Sequence, residues 1–363
     1  MGRNEKYTAR YGGMGLRNAK IESHTAFISA YLKFVAAYTL LDDTRSPTSN
    51  AEAFCQTITN YNLSVNKDDA MDAETAINEA RKGQVPAQRD ITNKAYRNMY
   101  DAYMSDDTNS KAERTHMKEA AKTGAMAAIK PQFWHGKPVV ETQLAPLVLR
   151  MAMALNFAES SDPCPACGVI DDPMRTHVSE CCHTMAAITN RHHAVVTRLE
   201  AITRNAGKKT IREKSNIIPG TAAKPADLYI IAMGDPARDI AIDVSIAAPL
   251  APSRVKATAH RGFDSMVPAG EAIAACEKTK LAKYAHYFGA EGNSNEVVRF
   301  IPAVWATTGG RGRFAKDLVG LIARQMESVY NVSYSESVAY IYGQITAVIM
   351  NWKAKRMFMA LSR

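Results

Sequence analysis

The stretch CPACGVIDDPMRTHVSECCH, from Cys164 to His183, holds four of the six cysteines of this 363-residue chain. The C-x₂-C spacing of Cys164 and Cys167 lets two thiolates grip one tetrahedral ion from a tight knuckle. His177 supplies a third donor. Cys181 and Cys182, four and five residues beyond it, both suit the fourth position, and His183 is a further candidate. A set of this kind closes a structural zinc site, and such a site stabilises a small, loop-rich module that has little core of its own. The competing reading is a redox pair, which would follow a strand and sit at a helix N-terminus. Here the cysteines follow Ser160, Ser161, Asp162 and Pro163, a turn.

A second grouping is acidic. Asp227 lies in KPADL and Asp243 in AIDVS, on two consecutive strand-like runs, ADLYIIAM and DIAIDVSIAA, split by GDPAR. If GDPAR closes a hairpin, the midpoint of the two aspartates falls inside the turn. The even sum of their positions then puts both carboxylates on one face, because side chains alternate with period two. Opposed or diagonal neighbours on such a ribbon lie roughly 4.5–8 Å apart, which suits two carboxylates sharing Mg²⁺. A magnesium ion there activates water and neutralises charge growing on a phosphodiester. Asp243 stands between Ile242 and Val244. Aspartate in mid-strand breaks a local propensity rule, and broken rules concentrate at functional sites. Glu213, in TIREKSN, is the candidate third acid. In CEKTKLAKYAHYF, Lys280 and Tyr284 share a helix face, with Lys283 one turn from Lys280; a lysine there could orient water or stabilise the transition state.

The elements that must position these groups follow from periodicity. Helices are expected from about Glu22 to Leu41, Asp68 to Lys82, Ala87 to Tyr103 and Lys111 to Ile129. FWHGKP, from Phe133 to Pro138, is a break. Val140 to Phe157 reads as a helix with Pro146 near its first turn, and Ala186 to Asn205 as another. Beyond Gly207 come the two strand runs, a helix from Gly270 to Phe288, the strand VVRFIPAVWATT, a Gly-rich GGRGR, and helices over Phe314 to Tyr330 and Ser335 to Leu361. The fold class expected is α+β: a helical N-terminal half, a CCHC zinc knuckle, then an α/β core with C-terminal helices.

Composition agrees with a folded protein that meets a polyanion. The chain is 46% hydrophobic and 22% charged, with a net charge of +9. The polar start MGRNEKYTARYGG lacks the apolar core of a secretory signal, and Ile21 to Leu41 carries Glu22, His24 and Lys33, which argues against a membrane span. A reducing compartment is expected, where clustered cysteines favour zinc over disulfides.

The succession of knuckle, Arg191-His192-His193, Glu213, KPADL, IDV and lysine helix resembles the C-terminal part of site-specific non-LTR retrotransposon proteins. These carry a restriction-like endonuclease of the PD-(D/E)xK superfamily behind a reverse transcriptase. The resemblance is densest from about Ala145 to Gly312, and YGGMGLRNAK, from Tyr11 to Lys20, looks like the segment just after the polymerase core. It implies zinc on Cys164, Cys167, His177 and Cys182. It implies Asp227 and Asp243 as Mg²⁺ ligands, with Glu213 and Lys280 completing the catalytic set. Arg191, His192, Lys283 and Tyr284 would meet nucleic acid. The implied activity is nuclear nicking of double-stranded DNA, with RNA a further partner within a larger complex. The alternative is a module that binds nucleic acid without catalysis, or a truncated transposon remnant. Ala226 separates Pro225 from Asp227, and Ser245 stands where the superfamily's D-x-K has lysine, so the lysine must come from the helix. No polymerase palm or fingers are present.

The division implied is a post-polymerase segment over 1–43, a helical linker over 44–158, the knuckle over 159–185, the nuclease over 186–325 and a C-terminal helix over 326–363. The stretch 44–130 carries no motif.

Overall fold

The computed structural model describes residues 19–41, 51–120, 133–134, 137–138, 140–152, 163–169, 177–178, 181, 185–218, 220, 224–234, 237–249, 271–292 and 297–361. The chain forms two compact units, one over Arg3–Asn109 and one over Ser110–Arg363. Segment Tyr11 to Asn18, and Cys182 and His183, lie outside the described residues.

The first unit is helical: α1 (Ala19–Leu41), α2 (Ala51–Asn62), α3 (Ala73–Arg81) and α4 (Gln88–Ser105). Its apolar faces meet through Ile28, Leu32 and Val35 of α1, Phe54 and Ile58 of α2, and Ile91 and Tyr96 of α4, all buried. Tyr31 stacks on Phe54 with ring centroids 4.3 Å apart. Asp72 caps α3 by accepting the Thr75 N–H at 2.8 Å, as a short polar residue at an N-cap should. Thus α1 belongs with the helices after it.

The second unit holds both candidate groupings. After α5 (Lys111–Ala120) the expected break at FWHGKP is a two-stranded ribbon, β1 (Phe133–Trp134) against β2 (Lys137–Pro138). A 3₁₀ turn over Thr142–Leu144 leads into α6 (Ala145–Ala152), with Pro146 in its first turn, where a missing N–H costs nothing. Then come α7 (Met185–Asn205), β3 (Thr210–Arg212), β4 (Leu228–Met233), β5 (Arg238–Ala247), α8 (Glu271–Phe288), β6 (Val298–Ala306), α9 (Arg313–Tyr330) and α10 (Tyr334–Leu361).

The four-stranded sheet has the order β3-β4-β5-β6. β3, β4 and β5 run antiparallel in turn, and β6 lies parallel to β5. A parallel neighbour needs a crossover, which α8 provides. Leu228 pairs with Ile242 and Ile230 with Ile240, so the hairpin is centred where the sequence put it. A bulge between Ile230 and Met233 is pinned by the Asp239 carboxylate, which accepts the Ala232 N–H at 2.9 Å and the Tyr229 hydroxyl at 2.6 Å. β3 was not anticipated. Three residues, one of them Arg212, carry no strand signal alone; β4 supplies the ladder.

The sheet is covered on both faces. Ile240, Ile242 and Val244 of β5 point into the larger core with Val195 and Leu199 of α7, Leu318 and Ile322 of α9, and Ile341 and Ile345 of α10. On the opposite face Tyr229, Ala241 and Phe300 pack under Tyr284 and Phe288 of α8. The whole is a mixed α+β architecture with a small mixed sheet between helical layers. α10 is apolar around much of its circumference because it serves two cores. Ile341, Ile345 and Ile349 enter the sheet core, while Ala347, Met350, Ala354 and Met357 pack against the cysteine segment.

Candidate functional site

Cys164, Cys167, His177 and Cys181 bring one donor atom each within 4.8 Å of one another. The Cys167 Sγ and His177 Nε2 lie 3.0 Å apart. The knuckle is closed by its backbone: the N–H groups of Cys167 and Gly168 donate to the Cys164 carbonyl at 3.3 and 2.8 Å, and Cys164 N–H donates to Val169 O at 2.7 Å. Gly168 makes the return at φ +73°, in the left-handed region glycine tolerates. Burial disfavours the Cys164 thiolate, but the N–H groups of Ala166 and Cys167 and the thiols of Cys167 and Cys181 outweigh it, and its pKa falls below the ordinary thiol value. Three thiols and an imidazole in this arrangement could hold a metal such as zinc. Of the two cysteines the spacing left open, Cys181 completes the set; Cys182, the residue implied by the resemblance, is outside the described residues. The module is docked, not free. Cys164, Val178 and Cys181 pack with Val148 of α6 and Met350 of α10, and Arg356 donates to the Cys181 carbonyl at 3.1 Å.

The acidic pair sits on the face of the sheet beneath α8. Continuing the ladder from Leu228 and Ile242 places Asp227 beside Asp243, and Asp227 N–H donates to Ile242 O at 2.8 Å. Lys280 of α8 reaches down to Asp243, with its ammonium 2.9 Å from both Oδ1 and Oδ2. Asp227 Oδ2 accepts the Val244 N–H at 2.7 Å and faces His192 Nε2 of α7 at 3.2 Å. The two carboxyls are driven apart in acidity. Burial opposes ionisation of Asp227, but His192, the Val244 N–H and Lys280 outweigh it and hold its pKa below the usual value. At Asp243 burial is the larger effect, against Lys280, and the pKa is raised. His192 is held above the ordinary imidazole value, chiefly by its bond to Asp227. Carboxylates pushed in opposite directions beside a lysine make this cluster a candidate functional site.

The remaining expected residues are distributed otherwise. Glu213 is exposed and pairs with Lys224 at 3.3 Å. Among the described residues only the Cys/His set gathers three or more acidic, thiol or imidazole donors that closely, so Glu213 does not join the aspartates. Arg191, the neighbour of His192 on α7, is buried. Tyr284 is a buried residue, edge-on to Phe300 at 5.3 Å. Lys283 is exposed, its ammonium 4.9 Å from the Tyr284 ring centroid.

Sequence reasoning also missed Glu277, one turn before Lys280 on α8. Its buried carboxylate accepts the Phe314 N–H at 3.1 Å and so caps α9, whose own N-cap residue, Gly312, has no side chain. A Cβ on Gly312 would collide with that carboxylate. Burial, with Asp317 adding to it and Arg313 opposing, raises the Glu277 pKa from 4.5 to about 7. The folded protein therefore holds more proton than the unfolded chain between those values, and stability falls as pH rises through that window. Glu277→Gln keeps the acceptor and removes the charge. Urea midpoints should lose this pH dependence, and the variant should exceed the parent by about 1 kcal/mol or more above pH ~7; a variant no more stable than the parent there would refute the assignment.

No family model and no curated protein matches the chain. No described helix is long and apolar enough to cross a membrane.

Proposed function

We propose that the second unit is a Mg²⁺-dependent endonuclease domain of the non-LTR retrotransposon type, which nicks double-stranded DNA in the nucleus. The observation that carries this reading is the cluster of Asp227, Asp243 and Lys280 on one sheet face, with His192 at its edge. Two carboxylates fit Mg²⁺, which takes few protein ligands and keeps several waters. Asp227 Oδ1 accepts no hydrogen bond among the described residues, so the pair has a donor to offer. When bound, the ion would supply Lewis acidity and an activated water to a phosphodiester.

The chain's own groups do the rest. Asp227 and Asp243 are the oxygen donors. Lys280 neutralises Asp243 until a cation or phosphate arrives, and its ammonium is then placed beside the reacting phosphate, where fixed positive charge favours the transition state. The zinc knuckle and the +9 net charge supply nucleic-acid affinity that is salt-sensitive and largely blind to sequence. The exposed ammonium of Lys283 belongs to that surface.

The test is conversion of supercoiled plasmid to open circles by zinc-loaded protein in Mg²⁺, with Lys280→Ala alongside. Nicking by the parent, reduced about 100-fold or more in the variant, supports the enzyme. A folded, DNA-binding protein that leaves plasmid intact would instead establish a binding module, the reading favoured by Glu213 standing apart from the aspartates.

A further inference from the structure

We infer that His192 is a positioning residue for Asp227 and not a contact to phosphate: it holds Oδ2 so that Oδ1 alone is left for a divalent cation. The inference rests on the reading of Asp227 and Asp243 as metal ligands. His192 Nε2 lies 3.2 Å from Asp227 Oδ2 and 3.2 Å from the Val244 carbonyl. Both neighbours accept, so Nε2 carries hydrogen and shares it between them. The same Oδ2 takes the Val244 N–H at 2.7 Å. Helix α7 and strand β5 thus clamp one oxygen of the carboxylate from two sides.

A carboxylate clamped in this way is fixed in rotation and presents a single oxygen. Mg²⁺ and Mn²⁺ accept such a one-oxygen ligand in compact octahedral shells, whereas Ca²⁺ favours more ligands and often takes both oxygens of a carboxylate. The clamp therefore makes the site selective for the smaller ions. The adjacent Arg191 is buried and His192 is only partly exposed, with its ring turned to Asp227, so neither has the open geometry of a backbone contact.

The experiment titrates zinc-loaded protein with Mn²⁺, reading the free-ion spin-resonance signal, and repeats it against competing Ca²⁺. Partners that orient a ligand typically change affinity 10- to 100-fold when removed. His192→Ala is expected to weaken Mn²⁺ by about that factor and to narrow the preference over Ca²⁺. His192→Gln, which keeps an N–H donor, should recover most of the loss. Zinc content and circular dichroism verify the fold of each variant. An unchanged Mn²⁺ affinity in His192→Ala, with weaker metal-free binding of duplex DNA, would overturn the inference and return His192 to the phosphate. Mn²⁺ binding abolished by Asp243→Asn but untouched by either His192 variant would overturn the inference while leaving the metal site standing. A parent that binds no Mn²⁺ would overturn both.

Discussion

Replacing Asp243 by Asn is expected to lower plasmid nicking by about 10²- to 10³-fold while leaving zinc content and salt-dependent DNA binding near the parent's. The carboxylate is buried and its charge is balanced by Lys280 at 2.9 Å. Asn keeps the shape and one oxygen but removes the negative charge a divalent ion needs, and it leaves the ammonium without its counter-charge. Lys280 retains partial access to solvent, so that cost is modest and the fold should persist. Measuring duplex binding without divalent metal beside nicking with it separates the two roles. Equal loss of both would mean that Asp243 only supports the fold; loss of nicking alone assigns it to the chemistry.

The second large effect concerns the knuckle. Cys181→Ala should abolish binding of one zinc equivalent, whereas Cys182→Ala should retain it. Metal affinity in a module of this kind is also folding free energy. The four donors share a core with α6 and α10, so losing the metal should not stay local. Thermal unfolding of Cys181→Ala, or of the parent after chelation, should begin well below that of the zinc-loaded parent, with the apolar faces of Met350 and Met357 exposed. Zinc retained by Cys181→Ala and lost by Cys182→Ala would reverse the ligand assignment.

How much of this was legible in the sequence differs by feature. The hairpin was, because a period of two and the position of GDPAR determine which residues oppose each other; Asp227 and Asp243 fall side by side as the parity argument required. The apolar inner face of Ile242 and Val244 followed from the same alternation. The lysine helix was legible as a helix, but its rotation was not: Lys280 and Tyr284 do share a face, and that face turns into the sheet, so the tyrosine is core. The choice between Cys181 and Cys182 was not legible, since spacings of four and five residues after a histidine can both close a tetrahedral site. Nor was the bond of His192 to Asp227, which joins a helix to a strand 35 residues on. Such contacts depend on how layers stack, and local pattern does not record it. Glu277 illustrates this most clearly: a carboxylate that caps a helix 37 residues away leaves no mark except a glycine where a capping serine would be expected.

The two-faced helix α10 sets an order of events during synthesis. Chains fold from the N-terminus as they emerge, yet part of the knuckle's docking surface and one wall of the sheet core are both supplied by α10, which follows them in the chain. The bond between Arg356 and the Cys181 carbonyl spans 175 residues of sequence. The cysteine segment can meet α6 as soon as it emerges, but its second wall arrives only with residues 334–361. The sheet, in the same interval, has its Ile242 and Val244 face only partly covered. Both halves therefore close together, on a single late helix, and a messenger that stops short of it would yield two open surfaces rather than one smaller domain.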